Sequence, residues 1–155
     1  MEITFVKGDA TQPQATGPRA IVHVCNDIGG WGRGFVLAIS KRWKEPEAAY
    51  REWFKSKENF ALGKVQWVQV EADLWVINMI GQRDIHPIDG VPPIRYDALA
   101  TCLGKVAQEA TQRGASIHMP RIGCGLAGGQ WDQVEAIINK TLLAHGVATY
   151  VYDFN

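Results

Sequence analysis

The chain has 155 residues, 46% of them apolar and 21% charged, a balance typical of a globular domain with a substantial core. Sixteen Lys and Arg residues offset sixteen Asp and Glu residues, so the composition shows no basic surplus for nucleic-acid binding. No apolar run approaches the roughly 18–20 residues that span a bilayer. Three widely spaced cysteines predict reduced thiols in a cytoplasmic protein without a zinc site.

The first half of the chain contains two predicted strands and two predicted helices. A strand over residues 3–6 is followed by a β-branched strand over residues 20–25 and by a glycine-rich loop over residues 26–34. Apolar residues at helical spacing then predict one helix that begins at Phe35 and another that begins near Pro46.

The second half of the chain continues the alternation. Only three residues separate predicted strands over 65–70 and 74–80, too few for a crossover, so we expect these strands to pair antiparallel. A loop with three prolines spans residues 81–95, and loops of this length are often functional. The remaining elements are a helix from Tyr96 to Gly114, a strand over 116–119, a second glycine-rich loop over 121–130, a helix from Trp131 and a strand over 147–152. This order predicts an α/β sandwich with helices on both faces of a mixed, mostly parallel sheet.

Both glycine-rich loops follow a strand and precede a helix. In such sheets ligands bind beyond the carboxyl ends of the strands, where backbone N–H groups and helix dipoles attract anions. Glycine has no Cβ, so the backbone can approach a phosphate closely. Tight turns alone explain either loop, but two such loops at equivalent strand ends favour a diphosphate site.

The second glycine-rich loop also matches a dinucleotide-binding fingerprint. Gly123, Gly125 and Gly128 have the G-x-G-x-x-G spacing, and Asp153 lies where a ribose-binding acid is expected. A dinucleotide-dependent oxidoreductase is therefore a competing hypothesis, although no second mononucleotide-binding half follows in the sequence. Both hypotheses predict that this loop binds a diphosphate.

Four segments together resemble the macrodomain family: residues 6–9, 23–26, 29–34 and 119–126. The pattern is most similar to the branch of terminal ADP-ribose glycohydrolases and ADP-ribose 1''-phosphate phosphatases. The resemblance implies a single domain over residues 1–155, built as a three-layer α/β/α sandwich around a six-stranded mixed sheet. It also implies ADP-ribose, a derivative of it or ADP-ribosylated macromolecules as partners. From the sequence as a whole we expect no cofactor, metal or membrane partner.

The resemblance further implies how the ligand is contacted. Asp9 accepts a hydrogen bond from the adenine amino group beside the Ala10 backbone, and Tyr152 or Phe154 flanks the adenine. The first glycine-rich loop holds the distal ribose and a phosphate, and the second wraps the diphosphate. The implied ligand-binding residues are Asp9, Ala10, Gly29, Gly30, Trp31, Gly32, Arg33, Gly34, Ile122, Gly123, Cys124, Gly125, Leu126, Ala127, Tyr152 and Phe154.

The resemblance leaves several chemistries open. The glycohydrolase branch uses a lysine and an aspartate, but Gln82 and Ala127 stand at those positions and can neither attack the sugar nor transfer a proton. By similarity to the phosphatase branch, we predict that His23, Asn26 and Asp27 catalyse attack of water on phosphorus. The alternatives are an ADP-ribose reader without turnover, an ADP-ribosyl glycohydrolase with a non-lysine mechanism, and a purely structural His23.

Other residues near the predicted site have candidate roles as well. Trp31, unlike the tryptophans that are expected to pack, is predicted to shield the distal ribose. Arg33 and Arg121 are candidates to reach a phosphate, and the alternative for Arg121 is that it ties loops together. Asp84 and His86 lie in the long loop, which is either a lid over the ligand or a solvated loop.

Overall fold

The computed structural model describes residues 1–154. Its strands are β1 (Thr4–Lys7), β2 (Arg19–Asn26), β3 (Val65–Glu71), β4 (Leu74–Gln82), β5 (Ser116–Met119) and β6 (Thr149–Asp153). Its helices are α1 (Phe35–Arg42), α2 (Glu45–Ser56), α3 (Tyr96–Arg113) and α4 (Trp131–Lys140), with a 3₁₀ turn at Leu143–His145. The order of elements agrees with the sequence prediction, and most differences are shifts of one or two residues at element ends. None of these helices has the combined length and apolar character that a membrane crossing requires.

The strands form one six-stranded sheet in the order β1-β6-β5-β2-β4-β3. All neighbours are parallel except β3 and β4, which pair antiparallel. Asp73, in the turn between those two strands, has φ 57°, the left-handed conformation that tight hairpin turns favour. The predicted mixed sheet is therefore confirmed.

Helices cover both faces of the sheet. Because successive side chains of a strand point to opposite faces, β2 contributes Val22 to one core and Ile21 to the other. On the first face, α3 and α4 bury Leu99 and Ile138 against the sheet. On the second face, α1 and α2 bury residues that include Tyr50, which is fully buried. The predicted three-layer sandwich is confirmed.

The topology places the two glycine-rich loops side by side. Strands β2 and β5 are parallel neighbours, so their carboxyl ends meet at the same edge of the sheet. The first loop leaves β2 at Asn26 and enters α1, and the second leaves β5 at Met119 and enters α4. A ligand at this edge can therefore contact both loops and the N-terminus of α1.

Candidate ligand-binding cleft

A cleft of about 710 Å³ lies at the edge of the sheet where β2 and β5 end. One wall comes from residues 23–26 and 30–36, and a second from residues 120–123 and 125–127. Gln82, Ile85 and His86 form a third wall. The volume of the cleft is in the usual range for sites that bind drug-sized or nucleotide-sized ligands.

The Asn26 side chain organises the first glycine-rich loop. Its Oδ1 accepts hydrogen bonds from the backbone N–H groups of Ile28 (3.0 Å) and Gly30 (2.9 Å), and its Nδ2 donates to the Gly30 carbonyl (2.9 Å). The Tyr50 hydroxyl lies 2.6 Å from the Asn26 carbonyl oxygen and 3.0 Å from Oδ1. Gly29 has φ 80°, and a Cβ there would lie 2.5 Å from the Phe54 ring. Asn26 therefore fixes the loop from beneath, and both ends of its amide are already engaged.

Backbone donors of the first loop are free to bind an anion. Among residues 1–154, no atom accepts a hydrogen bond from the backbone N–H of Gly32, Arg33 or Phe35, all of which line the cleft. Gly34 caps α1 without a side-chain hydrogen bond, and the first turn of the helix carries no acidic residue. The positive end of this helix dipole is thus open to a negatively charged ligand.

The second glycine-rich loop is held mainly by its own backbone. Gly129 N–H donates to the Gly123 carbonyl (2.7 Å), and Gly128 N–H donates to that of Gly125 (3.1 Å). A Cβ on Gly129 would lie 2.5 Å from the Gly123 carbonyl oxygen, so the close approach requires glycine. Within the described part of the chain, the N–H groups of Gly125, Leu126 and Ala127 have no acceptor, and these residues line the cleft.

His23 lies at the base of the cleft and is almost fully buried. Its Nε2 lies 2.6 Å from Asn78 Oδ1. Asn78 Nδ2 donates to the Pro46 carbonyl and to Gln66 Oε1, so Asn78 Oδ1 is the acceptor and His23 Nε2 carries the hydrogen. Burial lowers the pKa of His23 to about 4, which keeps the ring neutral near pH 7. The catalytic role of His23 stays a prediction, and this neutral, hydrogen-bonded ring fits the structural alternative.

The remaining predicted catalytic residue, Asp27, lies outside the cleft lining. Its Oδ1 accepts a hydrogen bond from the Asp84 backbone N–H at 2.7 Å. Asp27 therefore connects the first glycine-rich loop to the long loop that follows β4.

Asp9 and Tyr152, predicted to contact adenine, also lie outside the cleft lining. Asp9 Oδ1 accepts from the Thr11 N–H and hydroxyl, and Oδ2 pairs with Arg42 at 3.3 Å. Burial raises the pKa of Asp9, but the hydrogen bonds from Thr11 and Arg42 outweigh it, so the pKa lies below its usual value. Tyr152 is buried, with its hydroxyl between the Gln14 N–H (2.8 Å) and His118 Nδ1 (2.7 Å).

The structure thus brings together most, but not all, of the predicted site residues. Those that line the cleft are His23, Asn26, Gly30, Trp31, Gly32, Arg33, Gly34, Ile122, Gly123, Gly125, Leu126 and Ala127. Those outside the lining are Asp9, Ala10, Asp27, Gly29, Cys124, Tyr152 and the exposed Phe154. The sequence does not assign Gln82 or Ile85 to a ligand contact and predicts His86 only as part of a lid or of a solvated loop, although the proline-rich loop after β4 was the signal that pointed to this segment.

Trp31 and Arg121 have clear partners within the protein, and Cys124 is not activated. The Trp31 indole is buried and donates to Ser40 Oγ at 2.8 Å. Arg121 lines the cleft but is bound by both oxygens of Asp153, at 2.8 and 3.0 Å. Burial raises the pKa of the Cys124 thiol, so it is not an activated thiolate.

In the part of the chain that the structure describes, no group of three or more His, Cys, Asp or Glu side chains is arranged to hold a metal.

No family model matches the chain, but solved structures match along nearly its whole length. A Bacteroides thetaiotaomicron protein of unknown function is 58% identical with a TM-score of 0.98, over 99% of this chain and 98% of that one. A macrodomain protein from Streptomyces coelicolor is 51% identical with a TM-score of 0.88, over 99% of this chain and 100% of that one.

Curated relatives are more distant. The mouse protein "Chromodomain-helicase-DNA-binding protein 1-like" is 35% identical over 98% of this chain, and the chain spans only 18% of that relative's length. An ADP-ribose 1''-phosphate phosphatase of Meyerozyma guilliermondii is 22% identical over 97% of this chain and 98% of its own. The Bos taurus ADP-ribose glycohydrolase OARD1 is 26% identical over 97% of this chain and 90% of its own. From its 51% identity to the Streptomyces coelicolor protein over the full length of both, we conclude that this chain belongs to the macrodomain family.

Proposed function

We propose that the protein binds ADP-ribose in the cleft and hydrolyses a substituent of the distal ribose, such as the phosphate of ADP-ribose 1''-phosphate. One observation carries the binding proposal. Both glycine-rich loops have backbone N–H groups at the cleft lining that donate to no acceptor within residues 1–154. Six such donors are Gly32, Arg33, Phe35, Gly125, Leu126 and Ala127.

This donor set suits a diphosphate. Unpartnered N–H groups on two facing loops can hydrogen-bond to several phosphate oxygens, and the positive end of α1 adds a favourable dipole. Arg33 also lines the cleft and adds positive charge, whereas the Arg121 guanidinium is already paired with Asp153. We assign the first loop to the distal ribose and adjacent phosphate, and the second loop to the diphosphate.

We assign Asp9 to the adenine end. Its carboxylate is held in the ionised form by Thr11 and Arg42, and an ionised carboxylate accepts a hydrogen bond from an exocyclic amino group. Adenine has such a group and hypoxanthine does not. Asp9 therefore selects the purine in this proposal.

The hydrolytic step is supported by the relatives and by what the cleft lacks. Both the phosphatase and the glycohydrolase named above match nearly the whole chain. The chain has no lysine between Lys64 and Lys105, and Ala127 has no acid/base group, which counts against a lysine-dependent glycohydrolase. Release of phosphate, with backbone donors stabilising the negative charge that develops, fits this cleft better.

Binding and turnover are tested separately. Isothermal titration calorimetry with ADP-ribose, NAD and AMP should give the tightest binding for ADP-ribose, and a preference for NAD would support the oxidoreductase hypothesis instead. Incubation with ADP-ribose 1''-phosphate should release phosphate. Tight binding of ADP-ribose without any turnover, on this substrate or on ADP-ribosylated glutamate, would identify the protein as a reader.

A further inference from the structure

The cleft contains few groups that can transfer a proton. Its titratable lining residues are His23, Cys25, Arg33, His86 and Arg121, and within residues 1–154 no Asp or Glu lines it. His23 is buried with its N–H bound to Asn78. Cys25 is buried beside it, and burial raises the pKa of its thiol far above the usual value. Arginine stays protonated in proteins. His86 is the remaining candidate.

His86 differs from His23 in its surroundings. It is exposed and lines the cleft from the loop that follows β4, together with Ile85. An imidazole at this wall of the cleft can reach both a bound ligand and the solvent, as a general acid requires.

The loop that carries His86 is anchored next to it. The Asp84 backbone N–H donates to Asp27 Oδ1 (2.7 Å), and the Asp84 carbonyl accepts from Gln82 Nε2 (3.0 Å). Further along, Ile88 and Val91 exchange a pair of backbone hydrogen bonds that close the tip of the loop. Asp84, two residues before His86, is thus hydrogen-bonded both to Asp27 in the first glycine-rich loop and to Gln82 at the end of β4.

We propose that His86 is the catalytic acid of the hydrolysis and that Asp27 is a positioning residue that holds the His86 loop through Asp84. The inference rests on the proposed function. Water forms a bond to phosphorus while the bond between phosphorus and the ribose 1''-oxygen breaks. The protonated imidazole of His86 donates its proton to that oxygen, and the proton of the attacking water leaves with phosphate or to solvent. His86 then regains a proton from water, and the products are ADP-ribose and phosphate.

The test compares His86→Ala with His145→Ala. His145 is a matched control because it is an exposed histidine on the 3₁₀ turn, bound to the Thr141 carbonyl and outside the cleft lining. Single-turnover phosphate release from ADP-ribose 1''-phosphate should fall about 100-fold in His86→Ala and be unchanged in His145→Ala. The Kd for ADP-ribose, measured by calorimetry, should change less than about twofold. Added imidazole should restore release in His86→Ala, because the vacated position is open to solvent.

The possible outcomes separate the inference from the proposed function. Wild-type release rates in His86→Ala, or a rate loss that imidazole does not restore, overturn the role of His86 and leave the proposed function intact. A wild-type protein that binds ADP-ribose but releases no phosphate overturns both the phosphatase activity and this role. A wild-type protein that does not bind ADP-ribose overturns the proposed function at its first step.

Discussion

The two glycine-rich loops reach the same cleft by different means. The first loop is shaped by a buried side chain, since Asn26 hydrogen-bonds to Ile28 and Gly30 and is itself bound by Tyr50. The second is shaped by backbone hydrogen bonds, such as the one from the Gly129 N–H to the Gly123 carbonyl. Both arrangements leave main-chain donors at the cleft without an acceptor among the 154 residues that the structure describes. The first loop should therefore be sensitive to changes in the side chains beneath it, and the second to a side chain added where its backbone packs closely, as at Gly129.

The second loop should be the more sensitive to an added methyl group. In Gly129→Ala the Cβ would lie 2.5 Å from a backbone oxygen, so the loop must move. We expect the free energy of unfolding to fall by about 3 kcal/mol and ADP-ribose affinity to fall at least about tenfold, measured by urea denaturation and calorimetry. Gly125→Ala, in the same loop with open space around the Cβ, should change the unfolding free energy by less than about 0.5 kcal/mol. Equal stability losses in the two variants would contradict the account.

The first loop should be the more sensitive to loss of a buried amide. Asn26→Ala removes the acceptor for two backbone N–H groups and leaves the Tyr50 hydroxyl with fewer partners. We expect the free energy of unfolding to fall by about 2–3 kcal/mol, with weaker ADP-ribose binding. Asn139→Ala, at an exposed position on α4, should have an effect within about 0.5 kcal/mol. Unchanged ADP-ribose affinity in Asn26→Ala would show that this side chain does not shape the binding loop.

Acid should lower the free energy of unfolding, because each loop follows a strand with a buried neutral histidine. Burial lowers the pKa of His23 on β2 and of His118 on β5 to about 4. Their unfolded pKa is about 6.5, so the unfolded state binds more protons as the pH falls, and the stability present above that value is lost towards pH 4.

Urea denaturation across this pH range measures the effect of each histidine. We expect each to contribute a loss of about 2 kcal/mol between about pH 7 and about pH 5. His23→Gln, which can keep the N–H donor to Asn78, should make the pH dependence shallower by that amount. A slope that matches the wild type would mean that folding does not lower the pKa of His23.

Removal of one tyrosine hydroxyl beside each loop should have the smallest effect on the free energy of unfolding. Tyr50→Phe removes the hydroxyl that binds Asn26, and Tyr96→Phe removes the hydroxyl that accepts from the Gln130 N–H at the end of the second loop. The first hydrogen bond is buried and the second exposed, so we expect losses of about 1 kcal/mol and less than about 0.5 kcal/mol. The reverse order would indicate that the second loop depends on side chains more than its backbone bonds suggest.

The order of strands and helices could be predicted because it depends on patterns of apolar, β-branched and turn residues that are local in the sequence. The apolar, β-branched segment that became β2 is buried on both faces, and the two-residue turn after Glu71 permits only an antiparallel pair. The family motif at residues 119–126 located the second loop for the same reason, since its residues form one continuous segment of the sequence.

The partners of individual polar side chains could not be predicted, because they lie far apart in the sequence. Asn26 meets Tyr50 across 24 residues and His23 meets Asn78 across 55, and both contacts depend on how α2 and β4 pack. The residue type was compatible with a catalytic role in each case. Only the packing shows that Asn26 holds the loop and that His23 is a buried, neutral donor.

Backbone amide proton shifts give the clearest test that the N–H groups of both loops bind the diphosphate of ADP-ribose, because each donor reports on its own hydrogen bond. On titration of the ¹⁵N-labelled protein with ADP-ribose, we expect large shifts at Gly32, Phe35, Gly125 and Ala127 together. Unperturbed amides in both loops, with shifts confined to residues remote from the cleft and from Asp9, such as Thr111, would contradict this binding mode.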